Sequence, residues 1–136
     1  MKELLNLAQR YSGHSNDPRK RVGCVIVVDD DPYVFGYNHF PKGIKEDWRI
    51  NNKEMKNNMI IHAEQDAINK GDSVKLKGAT LYVWPIPPCN RCAASIIDVG
   101  IVKVVTLRPP DHTSWRSKLH MGVSMLDEAG VKFIQL

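Results

Sequence analysis

Apolar residues at the start of the chain recur at helical spacing: Leu4, Leu7, Ala8 and Tyr11 stand at i, i+3, i+4 and i+7, the stripe of an amphipathic helix. SGHSNDP then breaks the pattern with Gly, Ser, Asn, Asp and Pro. The next two runs, VGCVIVVD and YVFGYN, are rich in β-branched and aromatic residues, with DDDP between them. They predict a β-hairpin. Residues 39–58 are polar and poorly periodic, and predict a loop; one this long inside a compact domain is usually functional. Beyond it the pattern predicts a helix over about 61–71, a strand at 79–84, a helix over about 90–99 and a strand at 102–107. After an RPPDHTS loop, Trp115, Leu119, Val123 and Leu126 mark a last helix, and VKFIQL a last strand. The order α-β-β-α-β-α-β-α-β predicts an α/β fold, a three-layer α/β/α arrangement with a mixed five-stranded sheet. No repeat, linker or low-complexity tract divides residues 1–136, so one domain is expected.

Charge narrows the partners. Nineteen basic residues against 15 acidic ones leave a formal charge of +4. That suits a small anionic ligand and is too mild and dispersed for a nucleic-acid-binding stripe. Three cysteines argue against a disulfide framework and for a reducing compartment. No apolar run is long enough to span a bilayer, and the first residues lack a secretory pattern. A cytoplasmic protein with no membrane partner is expected.

The candidate chemistry lies on two of the helices. Cys89, Cys92, Ala93, Ile96, Ile97 and Gly100 fall at i, i+3, i+4, i+7, i+8 and i+11, so both thiols continue a buried stripe. The preceding Pro87-Pro88 suits a helix start, where the helix dipole favours thiolates. Alone, this Cys-x-x-Cys reads equally as a metal site, a redox pair or two small core residues. In IHAEQDAI, Ala63, Glu64, Ala67 and Ile68 form a helical stripe that turns Glu64 inward, where an unpartnered carboxylate is costly. His62 and Glu64 would diverge by about 200° in mid-helix. They share one site only if His62 lies at the helix's first position. His62, Cys89 and Cys92 then offer three zinc ligands and an open fourth position, the catalytic pattern, with Glu64 as base. A core histidine and a carboxylate paired with a surface base are the bland alternatives. The two motifs together, each at a helix start, favour zinc.

His-x-Glu followed by Pro-Cys-x-x-Cys is also the signature of the zinc-dependent nucleobase deaminases. SNDPRKRVGCVIV, GYNHFPKG, HAEQDAI and PPCNRCAASIIDVGIVKVV resemble segments of the cytidine and deoxycytidylate deaminase superfamily, and Gly-Tyr-Asn-x-x-Pro-x-Gly is most like its deoxycytidylate branch. The resemblance implies a cytidine deaminase-like fold and hydrolysis of dCMP to dUMP and ammonia, supplying dUMP for thymidylate synthesis. It implies one Zn²⁺ per chain on His62, Cys89 and Cys92, with Glu64 as base and then acid. By similarity Val22 packs on the pyrimidine, Asn38 bonds the sugar 3′-hydroxyl and the Ala63 backbone meets the base. For the phosphate, HTSWRSKLH offers Arg116 and Lys118 with the hydroxyls of Ser114 and Ser117, and Trp115 as a wall.

Relatives of this kind are often homo-oligomers, commonly hexamers, activated by dCTP and inhibited by dTTP. Lys20, Arg21 and Lys42 are the candidates for holding such a triphosphate, with Mg²⁺. Two departures border the expected pocket: His39 stands where the family often has Gly, and the run YVWPIPPC is one residue longer than usual. Competing expectations are a deaminase of another cytosine nucleotide, nucleoside or base, a non-catalytic zinc protein on the same fold, and a redox dithiol protein. An inward acid on the zinc helix favours an enzyme.

Overall fold

The computed structural model describes residues 1–108 and 117–136. Its first helix, α1 (Lys2–Ser12), buries Leu5, Ala8 and Ser12. Leu5, outside the stripe read from the sequence, is deeper than Leu4, Leu7 and Tyr11, which pack around it half-buried.

The hairpin forms from β1 (Gly23–Val28) and β2 (Asp31–Tyr37). Asp29 and Asp30 make its two-residue turn, both at positive φ (51° and 66°), a conformation short acidic side chains tolerate. β2 therefore takes in the last two residues of the expected turn, Asp31 and Pro32. Proline fits there because β2 is an edge strand and the register shifts between Ile26 and Val27.

Adding β3 (Thr80–Trp84), β4 (Lys103–Thr106) and β5 (Lys132–Gln135) gives one sheet in the order β2-β1-β3-β4-β5. β1 is antiparallel to both β2 and β3, while β3, β4 and β5 run parallel. Alternation splits the strand residues between two cores. Val25, Val27, Tyr82 and Val105 meet Leu5 and Ala8 of α1. Cys24, Ile26, Leu81, Val83 and Val104 face the other way. There they meet α3 (Ala63–Lys70), α5 (Asn90–Val99) and α6 (Ser117–Glu128), through Ala63, Ala67, Ala93, Ile96 and Leu126. The mixed five-stranded sheet between helices is thus as expected.

Residues 39–58 differ from the expected loop. They contain a 3₁₀ turn (Trp48–Asn51) capped by Asp47, and then α2 (Lys53–Met59), capped by Asn52 Oδ1 accepting from the Met55 amide at 3.0 Å. α2 has no apolar stripe, and its one buried residue is Lys56, so hydrophobic periodicity could not reveal it. A short helix, α4 (Ser73–Leu76), capped by Asp72, brings Leu76 into the core.

α3 lies unusually close to the hairpin because β2 carries Gly36. A Cβ there would stand 2.2 Å from the Ala63 carbonyl oxygen and 2.7 Å from the Ala67 nitrogen. The start of α3 is thereby held against the sheet.

Candidate active site

His62 is the residue before α3, with extended backbone (φ −75°, ψ 154°). This meets the requirement set by the sequence: off the helix, His62 no longer diverges from Glu64 in the first turn. Its position is fixed from behind by a backbone bridge, with His39 N–H donating to Ile61 O at 3.2 Å and Ile61 N–H to His39 O at 2.8 Å. Cys89 has the same place before α5 (φ −72°, ψ 176°), and Cys92 sits one turn in. The two motifs use one local device twice: an extended cap residue and a first-turn residue aimed at the same point.

That point is small. His62 Nδ1 lies 3.3 Å from Cys92 Sγ and 3.5 Å from Cys89 Sγ, and the three ligand atoms lie within 4.8 Å of one another. Tetrahedral zinc with ordinary Zn–N and Zn–S bonds places such a nitrogen and sulfur about 3.6 Å apart. The two nitrogen–sulfur distances are close to that spacing. Among the described residues the trio is the one group of three such side chains close enough to share a metal.

The electrostatics suit a cation. Hydrogen bonding from the Cys92 thiol, then from His62, overcomes burial and pulls the Cys89 thiol down to about 3. Cys92 is driven upward, chiefly by its hydrogen bond to Cys89 and by burial. The hydrogen bond to Cys89 raises His62. These three donors share protons that a divalent ion would displace. Glu64 is 4% exposed, and burial lifts its carboxyl to about 7 against the opposing pull of His62. A carboxyl that both takes and releases a proton near neutrality is suited to acid–base work.

A pocket of about 320 Å³ opens over this cluster. Glu64, His62 and Cys89 line it together with Val22, Asn38 and Ala63. Ile86, Pro87 and Leu119 supply apolar walls, and Arg19, Lys20, Lys53, Lys56, Arg91 and Lys118 make its surroundings cationic. Among the effector candidates, Lys20 lines this pocket; Arg21 donates through Nε to Asp17 O at 3.3 Å, and Lys42 is exposed beyond the His39 bridge. Trp115 and Arg116, with Ser114, lie outside the described residues. Reading the sequence missed Asp17, Lys56 and Asn90 as pocket residues. Asn90, directly after Cys89, buries its Oδ1 with no hydrogen-bond partner among the described residues. Asp17 reads only as a turn former and Lys56 only as part of a polar run; neither carries a spacing signal.

His39 proves to be a brace. Its Nε2 meets Asp66 Oδ1 of α3 at 2.9 Å and its Nδ1 meets Phe40 O at 2.6 Å. Asp66 also accepts from Lys70 at 3.0 Å and from the Tyr37 amide at 3.2 Å. The hairpin's end is thus bolted to the helix carrying Glu64.

Residues 1–108 match the family model of the cytidine and deoxycytidylate deaminase zinc-binding region. The chain belongs to this family. A probable deoxycytidylate deaminase of Caenorhabditis elegans is 35% identical over 138 residues, covering 98% of this chain and 68% of that protein. An uncharacterized deaminase from the luxG 3′ region of Aliivibrio fischeri is 32% identical over 96% of this chain and 89% of its own length. Human deoxycytidylate deaminase is 37% identical over 107 residues, 74% of this chain and 60% of that protein. The dCMP deaminase of cyanophage S-TIM5, solved with dCMP and dUMP, shares the fold, with a TM-score of 0.78 over 99% of this chain and 95% of that one at 23% identity. As a member of the family the chain is a deaminase with the family's zinc-binding region, and His62, Cys89 and Cys92 are the grouped side chains that could hold the ion. Among the described residues no helix is long and apolar enough to cross a membrane.

Proposed function

We propose that this deaminase hydrolyses dCMP to dUMP and ammonia, which makes it a source of dUMP for thymidylate synthesis. The observation carrying the proposal is the buried Glu64 carboxyl, raised to about 7, beside a zinc-fitting trio under a pocket edged with cations. Zinc, when bound, lowers the pKa of water and stabilises developing negative charge. Glu64 takes one proton from the attacking water and passes it to N3 of the pyrimidine as the C4–O bond forms; it then takes the remaining hydroxyl proton and gives it to the amino group, so that C4=O forms as the C4–N bond breaks and ammonia leaves. The low exposure of Glu64 keeps bulk water from the proton it carries. Val22 and Ala63 flank the base, and Asn38 bonds the sugar 3′-hydroxyl. Lys118, at the start of α6 on the pocket rim, meets the phosphate together with Arg116, with Trp115 as a wall.

The regulatory part of the proposal is activation by dCTP and inhibition by dTTP, with Mg²⁺ bound alongside the triphosphate at Lys20, Arg21 and Lys42, in a cytoplasmic homo-oligomer. A panel of cytosine, cytidine, deoxycytidine, CMP and dCMP, run with and without dCTP and dTTP, tests both parts. Highest kcat/KM on dCMP supports the substrate reading. Equal turnover of deoxycytidine and dCMP counts against it, and indifference to both triphosphates defeats the regulatory part.

A further inference from the structure

Asp17 and Lys56 form an ion pair at 2.9 Å, with their side chains only 2% and 9% exposed. Lysine is rarely so buried without a partner, and a buried pair does not by itself add stability over an apolar contact. What this pair holds in place is more specific. Asp17 Oδ1 accepts from the backbone N–H groups of Arg19 at 2.9 Å and Lys20 at 3.1 Å. Its Oδ2 accepts from Lys56 Nζ and, at 3.3 Å, from Asn38 Nδ2. The second hydrogen of Asn38 Nδ2 goes to Lys20 O at 2.8 Å. Both partners of that nitrogen are oxygens that can only accept, so the amide has one orientation. Its Oδ1 must point the other way, where it accepts from Val22 N–H at 2.9 Å.

An amide oxygen has two lone pairs, and Val22 uses one. Asn38 lines the pocket with both donor hydrogens spent. Toward a ligand it can only accept. A sugar hydroxyl facing it therefore has to donate.

We infer that Asp17 and Lys56 are positioning residues: their buried pair locks the Asn38 amide with its oxygen toward the pocket, so that the enzyme recognises the substrate's 3′-hydroxyl as a hydrogen-bond donor. The inference rests on the reading of Asn38 as the sugar contact. It assigns α2 a task, since Lys56 is the buried residue of that helix and lines the pocket. Replacing Asp17 by Asn keeps the turn contacts but sets a donor against Asn38 Nδ2 and Lys56 Nζ. Replacing Lys56 by Met strips the carboxylate of its counter-charge.

The test compares kcat/KM on dCMP and on its analogue lacking the 3′-hydroxyl, for the wild type, D17N, K56M, K56R and the charge-neutral D17N/K56M pair. Each protein is checked for zinc content and unfolding midpoint. The wild type should favour dCMP by about tenfold or more, the worth of one well-placed hydrogen bond. D17N and K56M should lose about tenfold on dCMP and little on the analogue, erasing the preference with zinc retained, while K56R keeps it. The double variant folds without a buried lone charge and should also lack the preference. Folded, zinc-loaded variants that lose equally on both substrates overturn the inference, as does a wild type active on dCMP but indifferent to the hydroxyl. A zinc-loaded wild type inactive on dCMP defeats the proposed function instead.

Discussion

Gly122 of α6 leans directly on the Cys89 turn: a Cβ at Gly122 would stand 2.4 Å from the Pro88 carbonyl oxygen and 2.7 Å from the Cys89 carbonyl carbon. Those atoms are backbone and cannot rotate aside. Gly122→Ala therefore has to move either α6 or the segment that delivers a zinc ligand. The expected result is faster zinc loss to a chelator and a lower unfolding midpoint. Wild-type zinc retention in G122A would show that the contact does not support the ligand.

Glu64→Gln keeps the shape of the side chain and removes its ability to exchange protons. Zinc content should stay at the wild-type level, about one ion per chain, while kcat falls by ~10²–10⁴ or more. Metal analysis and steady-state rates on one preparation decide the matter. Near-normal turnover would remove Glu64 from the chemistry.

Zinc loading should release protons. With the Cys92 thiol pushed upward by Cys89 and by burial, that proton is still in place near neutrality and must leave when the sulfur becomes a ligand. Titrating metal-free protein with zinc in weak buffer at about pH 7 should release at least about one proton per ion. Cys92→Ala should both weaken binding and diminish the release. Proton-neutral binding would argue for another ligand set.

The His39–Asp66 contact predicts a pH-dependent stability. Burial opposes the charged imidazole, but the hydrogen bonds to Asp66 and Phe40 outweigh it and raise the His39 pKa. A raised folded-state value means a stabilising contribution that is complete below the unfolded histidine's pKa and lost as pH rises through the folded one. The unfolding midpoint of the zinc-loaded protein should fall across this interval, and His39→Gln should flatten that fall. Parallel profiles for the two proteins would assign the dependence elsewhere.

Lys118→Ala tests the phosphate seat. KM for dCMP should rise by roughly tenfold, the scale of a charge-assisted contact, with little change for deoxycytidine. Equal effects on the two would place Lys118 away from the phosphate.

Much of this arrangement was legible before the structure because it rests on local rules. Two residues apart on a helix cannot share a target, so His62 had to lie at the helix start if it joined Glu64, and it does. Alternating and helical apolar patterns marked the strands and the core helices. α2 was invisible for the converse reason: it docks through a lysine's charge, which hydrophobic periodicity cannot register. Asp17 was legible as a turn former, and one of its oxygens does serve the turn. The task of the other oxygen depends on partners 21 and 39 positions away, which no local pattern shows. His39 likewise gained its meaning only with Asp66 beside it.

The paired sulfurs also determine how this enzyme ages. Stripped of its ion, the site leaves a thiolate at Cys89 next to a protonated Cys92, the combination that peroxide or dissolved oxygen carries toward a disulfide. Cys24, fully buried and with its thiol held protonated by that burial, takes no part. The bound ion thus doubles as a preservative: chelated stocks left in air should refuse to be reloaded, and a reductant added beforehand should keep them recoverable.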